Sequence, residues 1–298
     1  MFKEEYKENL TATCRLLGIN RQVYYRAQRS SANRRSTAAQ VIELVKEVRL
    51  EMPRLGTRKL YHILKPELQN LHVGRDRLFT ILKSNHMLIA PKRQYHITTN
   101  SHHRFRKHKN QVPKLRLQKP EQLWVSDITY VGNRKNPMYL ALVTDAYSKK
   151  IVGYDLSDSL CTSGSLRALK MGIVSKKYNY KLLHHSDRGF QYCSNEYQRI
   201  LAKHRINCSM TESYDPYENA VAERVNGILK QEFLPENTNI KIEIMNKVIK
   251  NAIEIYNNKR PHLSCAYHTP NQMHQQNKIK IKSYKTKKLS NDVVAELL

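Results

Sequence analysis

The sequence predicts an α/β domain, in which helices pack on a mixed sheet, preceded by a small all-helical region. After Pro120, short runs of β-forming residues alternate with turn residues and lead into alternating helical and strand segments, which is typical of such a domain. Before Pro91, apolar residues instead recur at helical spacing. A chain of 298 residues has room for one domain of ordinary size and for smaller modules.

The chain is strongly basic, with 52 Lys and Arg against 25 Asp and Glu and a formal net charge of +27. Such an excess suggests a polyanionic partner, because a lysine or arginine placed on a phosphate releases condensed counterions; a merely basic protein is the alternative. The sequence contains no membrane-length apolar run and no signal-peptide core, and its five cysteines form no CxxC pair. We therefore expect an intracellular protein with reduced thiols.

The helical region divides, on the sequence, into two modules. Residues 1–35 have a helix-turn-helix outline, because apolar residues lie at helical spacing on both sides of Gly18 and Asn20 can cap a second helix. Residues 36–90 continue with apolar helical stripes, and Thr57 can cap one of these helices. We interpret 36–90 as a helical DNA-binding module, although a helical scaffold without DNA contact remains an alternative.

Two basic segments flank the α/β domain. Residues 91–119 contain no acid and interleave basic residues with aromatic residues and histidines, so they are interpreted as a linker lying along the DNA backbone. A zinc site is the less favoured reading, since no cysteine pair completes a tetrahedral set. Residues 276–298 form a lysine-rich tail that either tracks phosphates or is disordered. The expected DNA contacts in the linker are Lys92, Arg93, Arg104, Arg106, Lys107 and Lys109.

Two aspartates lie where strands are predicted. Asp127 lies within Leu123–Val131, a strand that is mostly apolar on both faces, so its carboxylate needs a cation or hydrogen bonds to offset desolvation. Asp187 ends a later apolar strand, at the kind of position where ligand sites gather in open α/β sheets. Both are candidate metal ligands.

A glutamate on a helix completes the set. Asp215 followed by Pro216 predicts a helix start, and Glu223 and Lys230 are seven residues apart on that helix, so both project from one face. Taken singly, each acid could be a turn cap or a surface charge. The arrangement is more informative: a strand aspartate, a strand-end aspartate, then a helix glutamate after 35 intervening residues.

This constellation resembles the DDE transposase and integrase superfamily, and in particular the OrfB-type transposases of the third large family of bacterial insertion sequences. The matching segments cover most of the chain: YYR at 24–26, PRLGTRKL at 53–60, WVSDITYV at 124–131, VTDAYSKKIVGY at 143–154, HSDRGFQYCS at 185–194, YENAVAERVNGILKQE at 217–232, and YNNKRPHLSCAYHTPNQM at 256–273. Two departures are Glu218, where the family more often has Asp, and the lack of the zinc module that retroviral relatives carry.

The resemblance implies an RNase H-like integrase catalytic core over residues 120–275, a mixed five-stranded sheet with helices on both faces. It implies that Asp127, Asp187 and Glu223 are catalytic and hold Mg²⁺, with two ions expected and Mn²⁺ able to substitute. Asp145 is then a turn residue outside the triad, while His184 and His185 either flank the site or pack. Further DNA contacts are expected at Lys230, Arg188, Asn219 and Arg224.

The resemblance further implies cleavage at the ends of an insertion sequence and joining of the 3′-hydroxyl to another phosphodiester. Expected partners are the terminal inverted repeats, target DNA, further copies of the chain on DNA, and the upstream-frame OrfA product as partner or frameshift fusion. The expected location is the bacterial cytoplasm, at the nucleoid. Alternatives are a non-catalytic DNA-binding regulator of transposition and a tyrosine recombinase, the latter suggested by 18 tyrosines and the string His103 to Arg106.

Overall fold

The structure, a computed structural model, describes residues 9–90, 108–133, 136–212, 219–235 and 240–279. The chain divides into two compact units, one ending at Pro91 and the other beginning at Lys92. In the described ranges, no helix combines the length and the apolar character that crossing a membrane requires.

The first unit is entirely helical in its described part, as expected. Its helices are α1 (Leu10–Leu16), α2 (Arg21–Glu51), α3 (Thr57–Ile63), α4 (Lys65–Asn70) and α5 (Arg75–Ser84). The predicted cap at Asn20 is confirmed, because its side chain accepts a hydrogen bond from the backbone N–H of Gln22. The apolar core is small and includes Val45, Leu60 and Leu78, none of which has exposed surface.

Two sequence expectations for this unit are wrong in detail. Helix α2 runs without a break across the boundary expected between residues 35 and 36, because residues 21–51 contain no glycine or proline to end it. Residues 9–35 and 36–90 are therefore not separate modules. Thr57 is the first helical residue of α3 rather than its cap, a position that Gly56 occupies without a side-chain hydrogen bond.

The second unit is built on a five-stranded mixed sheet, which confirms the predicted fold class. The strands are β1 (Leu123–Gly132), β2 (Pro137–Asp145), β3 (Ile151–Ser157), β4 (Leu183–Ser186) and β5 (Asn207–Met210), in the order β3-β2-β1-β4-β5. The β1–β2 and β2–β3 pairs are antiparallel, whereas β1–β4 and β4–β5 are parallel. This is the strand order of an RNase H-like fold, with β1 at the centre.

Helices cover both faces of the sheet. The described helices of this unit are α6 (Thr162–Ser175), α7 (Phe190–Cys193), α8 (Asn195–Lys203), α9 (Ala220–Ile228), α10 (Ile242–Asn258) and α11 (Pro270–His274). Trp124 and Ile128 of β1 belong to the apolar cluster formed with α6, α7 and α8. Val131 belongs instead to the cluster formed with α9 and α10. Alternating side chains of β1 thus enter two cores, as a strand buried on both sides requires.

The ends of the core differ from the expected boundaries. Residues 108–119, expected to be linker, lie partly against the core: the backbone N–H of Gln111 donates to Ser209 Oγ (2.9 Å), and Leu115 packs against the apolar cluster that includes Val125. At the other end, Tyr147 donates its hydroxyl to the carbonyl of Ile279. Five of the expected linker contacts lie outside the described residues, namely Lys92, Arg93, Arg104, Arg106 and Lys107.

Asp145 is the last residue of β2 and begins the turn that follows it, in line with the expected turn role. Its Oδ1 accepts from the backbone and hydroxyl of Ser148, and its Oδ2 accepts from the backbone of Glu121. His274 lies between two of these acids, with Nε2 at 3.3 Å from a carboxylate oxygen of Glu121 and Nδ1 at 3.8 Å from Asp145 Oδ1. All three ionisable side chains are buried, so this cluster anchors the last described helix to the sheet.

Candidate active site

Asp127 and Asp187 lie side by side because their strands are parallel and in register. The last residue pair between β1 and β4 is Ser126 with Ser186, and each aspartate follows directly after its serine. Neighbouring strands lie about 4.8 Å apart, so the two carboxyl groups come together where β4 ends. The sequence predicted strand positions for both residues, and the structure adds that they are neighbours.

The carboxyl group of Asp127 is held in an unfavourable environment for a negative charge. Although part of Asp127 remains accessible to solvent, the protein atoms around it desolvate the carboxyl group, and together with the charge of Asp187 they raise its pKa to about 8. Hydrogen bonds from Asn226 and from the backbone of Ile128 oppose the shift. Glu223 adds a smaller like-charge effect.

Glu223 lies in the first turn of α9, three residues before Asn226, whose side chain contacts Asp127. Its side chain is exposed at the surface, yet nearby protein partly desolvates the carboxyl group and raises its pKa. The three carboxylates therefore share one region. Within the described ranges, however, no three carboxyl, imidazole or thiol side chains are close enough together to make a complete metal-binding set.

The donor chemistry nevertheless fits a hard cation. Oxygen ligands from carboxylates are those that Mg²⁺ prefers. A cation beside Asp127 and Asp187 would relieve the repulsion that raises the pKa of Asp127.

Lys230 lies near Asp127, although the helix that carries it is not a continuous α-helix. After Ile228 the helix changes to one π-helical turn, Leu229–Phe233. Lys230 Nζ lies 3.4 Å from Thr129 Oγ1 on β1. Burial lowers the pKa of Lys230, and the negative charge of Asp127 partly offsets this effect. Lys230 thus lies within reach of the charge of Asp127, in a turn of a type that is common at functional sites.

Asn226 is a site residue that the sequence reasoning missed. It is buried, and its Nδ2 donates to Asp127 Oδ2 over 2.7 Å. The spacing in the sequence could have identified it, because Asn226 lies three residues after Glu223 and four before Lys230, as neighbours on one face of a helix do. An uncharged amide in a helix is easily taken for a packing residue, which is why it was passed over.

The remaining candidates do not all face solvent. Asn219, expected to contact DNA, is buried and donates to the carbonyl of Ser126, so it holds the start of α9 against β1. His184 is also buried, between Ser126 Oγ and the hydroxyl of Tyr197, and burial lowers its pKa to about 3. His185 is buried as well and bonds to a core hydroxyl. These three are packing residues. Arg224 and Lys109 are exposed, and Arg188 is half-buried.

Comparison with known proteins supports the same family from several directions. The integrase core domain matches residues 118–216 in one family model and residues 204–270 in a second of the same description. An uncharacterized 31 kDa protein of insertion element IS600 from Shigella sonnei is 32% identical over 259 residues, which is 84% of this chain and 92% of that protein. The InsF transposase of insertion sequence IS3fB from Escherichia coli K12 is 35% identical over 159 residues, 53% of this chain and 55% of its own length.

Solved structures with the same kind of core are more distant. The HTLV-2 integrase catalytic core domain, solved in complex with magnesium, is 20% identical, with a TM-score of 0.42 over 52% of this chain and 97% of that one. The simian T-cell lymphotropic virus intasome is 20% identical, with a TM-score of 0.48 over 77% of this chain and 78% of the other. On the extent of its match to the insertion-element protein and to the integrase core models, the chain belongs to the DDE transposases of the IS3 family of bacterial insertion sequences.

Proposed function

We propose that Asp127, Asp187 and Glu223 form the metal-binding catalytic centre with which this transposase cuts the ends of its insertion sequence and joins them to new DNA. The observation that carries the proposal is that Asp127 and Asp187 follow directly after the last register pair of β1 and β4, where burial and the charge of Asp187 raise the pKa of Asp127. Like-charged carboxylates forced together in a partly desolvated site are typical of a cation site.

Two bound Mg²⁺ ions would supply Lewis-acid stabilisation of the attacking and departing oxygens, and Mn²⁺ would substitute. The side chains of the chain have separate tasks. Asp127 and Asp187, beside the central strands, would hold the cations, and Glu223 on α9 would complete the ligand set. Asn226 fixes one oxygen of Asp127 by its 2.7 Å hydrogen bond, leaving the other oxygen directed by the backbone of Ile128.

Lys230 is positioned to bind a DNA phosphate next to the metal ions. Its ammonium group lies near Asp127, and its hydroxyl neighbour Thr129 orients it without neutralising it. A scissile phosphate bound there would lie next to the ammonium group of Lys230 and to the cations. These positive charges would offset the negative charge that develops on the phosphate in the transition state. No covalent bond between protein and DNA is needed, in contrast to a tyrosine recombinase.

The proposed substrates are the terminal inverted repeats and a target duplex, with two or more copies of the chain assembled on DNA and with the OrfA product as partner or fused segment. Arg188, Arg224, Lys109 and the residues 91–107 are the proposed further DNA contacts. The proposed place of action is the nucleoid in the cytoplasm. The integrase core match gives no support to a non-catalytic regulator.

Strand transfer of labelled element ends tests the proposal, with wild type compared with Asp127→Asn, Asp187→Asn and Glu223→Gln in Mg²⁺, Mn²⁺ and EDTA. We expect each variant, and EDTA, to abolish cleavage and joining while DNA binding persists. The control is Asp158→Asn, since Asp158 is exposed and lies away from the triad in the sequence. Full activity of any triad variant would refute the assignment of that residue.

A further inference from the structure

The first twenty residues of α2, residues 21–40, form a helix segment that is exposed along almost its whole length. None of these residues is buried, and only four of them are even half-buried. By contrast, the C-terminal part of the same helix contributes Val41 and Val45 to the core of the first unit. The N-terminal two thirds of α2 thus extend beyond the apolar core that holds the rest of the helix.

This exposed helix segment is exclusively basic among its charged residues. It carries Arg21, Arg26, Arg29, Arg34 and Arg35, all exposed, and the first acidic residue of α2 is Glu43. At 100° per residue the five arginines are spread around the helix rather than along one stripe. Among the described residues, none of these guanidinium groups has a hydrogen bond or an ion pair.

A helix with this composition gains little stability by itself. It has no apolar face to bury, and it lacks the acidic partners at i+3 or i+4 that support isolated helices. Its own arginines repel one another. A polyanion that surrounds the helix would remove that repulsion and release counterions at the same time.

We propose that residues 21–40 are a DNA-binding helix that lies along a duplex, contacts phosphates with its five arginines, and becomes stably helical only when bound. The inference rests on the proposed function in one respect, namely that DNA is the substrate. Twenty residues of helix span about 30 Å, the length of about nine base pairs. A helix basic on all sides suits a groove, where phosphates lie on both flanks.

The first test compares the salt dependence of binding to a mixed-sequence DNA duplex in EDTA, where no cutting occurs. The variant is Arg26→Gln/Arg29→Gln in the full chain. The matched control is Lys46→Gln/Arg75→Gln, which removes the same charge from two exposed residues of the same unit that are already paired with Glu43 and Asp76.

We expect the arginine variant to bind about 10-fold more weakly at physiological salt and its salt slope to fall by about two. The control should remain within about twofold of wild type. Equal losses in the variant and the control would mean that only net charge matters, and would overturn the proposal.

Amide hydrogen exchange on the full chain provides the second test. Peptides from residues 21–40 should exchange fast in the free protein and slowly with duplex bound, while those from residues 57–82 stay protected in both states. Slow exchange without DNA, or no change on adding it, would overturn the proposal. Both measurements are made without strand transfer, so their failure is distinguishable from failure of the catalytic proposal.

Discussion

Replacing Asp127 by Asn should stabilise the metal-free protein while destroying its activity. Burial and the charge of Asp187 raise the pKa of Asp127 from an ordinary value of 3.8 to about 8, so the folded protein disfavours the charged form. At pH 7 an unfolded chain would ionise this group freely, and folding must return a proton to it. Over roughly 3 pH units, at about 1.36 kcal/mol each, the upper limit of this penalty is about 4 kcal/mol.

The expected gain is smaller than that limit, about 1–3 kcal/mol. Both oxygens of Asp127 accept hydrogen bonds, from Asn226 and from the backbone of Ile128, and an asparagine amide can accept at only one of these positions. The sign with pH follows from the direction of the shift. Because the folded state holds the proton more tightly, the penalty is absent below about pH 4, grows as the pH rises, and levels off above about pH 8.

Urea unfolding followed by tryptophan fluorescence measures this directly. Trp124, the single tryptophan, is fully buried on β1 and therefore reports on the catalytic unit. In EDTA the Asn variant should unfold at higher urea than wild type at pH 7 and with a smaller difference at pH 5. Mg²⁺ should stabilise wild type but not the variant, since a ligand of the folded state raises stability by mass action.

A contrasting substitution makes the test specific. Asp145→Asn makes the same chemical change, but Asp145 accepts three hydrogen bonds and faces His274 rather than another carboxylate, so its replacement should lose about 1–3 kcal/mol. If Asp127→Asn proved no more stable than wild type at pH 7, or if Mg²⁺ stabilised it equally, the account of a strained cation site would be wrong.

Three other predictions concern neighbouring contacts. Asn226→Leu removes the donor to Asp127 and should raise the Mg²⁺ concentration needed for strand transfer about 10–100-fold, whereas the exposed substitution Asn251→Leu should leave it unchanged. Arg260→Met leaves Glu232 without its 2.6 Å partner and should cost about 3–5 kcal/mol in urea unfolding; a loss below about 1 kcal/mol would contradict a structural role. For His274, burial opposes the charged form, but hydrogen bonds to two buried acids outweigh this effect and raise the pKa of the imidazole. The stability that the charged imidazole contributes is therefore complete below about pH 6.5 and is lost as the pH rises through the folded pKa. His274→Gln should therefore destabilise more at pH 6 than at pH 9, and an equal loss at both would refute the charged cluster.

Local sequence patterns were sufficient to predict features that depend on a single helix or strand. Strand β1 begins at its expected residue and ends one residue beyond its expected bound, and Asn20 caps α2 as expected, because alternation and capping depend on neighbours in sequence. The break expected at residues 35 and 36 failed for the opposite reason. A change in composition does not end a helix when neither glycine nor proline is present.

The acids of the site could be chosen from sequence, but their surroundings could not. Asp127 and Asp187 could be identified because a carboxylate in or just after an apolar strand is costly to desolvate unless a cation or hydrogen bonds compensate its charge. Asn219 was assigned to DNA because it is polar and close to Glu223 in sequence, yet its amide is buried against the carbonyl of Ser126. Asn226 was missed because its importance lies in a contact with a residue 99 positions away.

The amino-acid sequence alone determined the family, the α/β class, the identity of the three candidate carboxylates and the basic character that favours DNA, because each of these depends on residue type and local order. Only the tertiary structure decided that β1 and β4 pair in parallel and in register, which makes Asp127 and Asp187 neighbours, and that Asn226 and Lys230 reach the same carboxylate. The physical reason is that the pKa of an acid depends on burial and on charges brought near by folding, and neither is set by the order of residues along the chain.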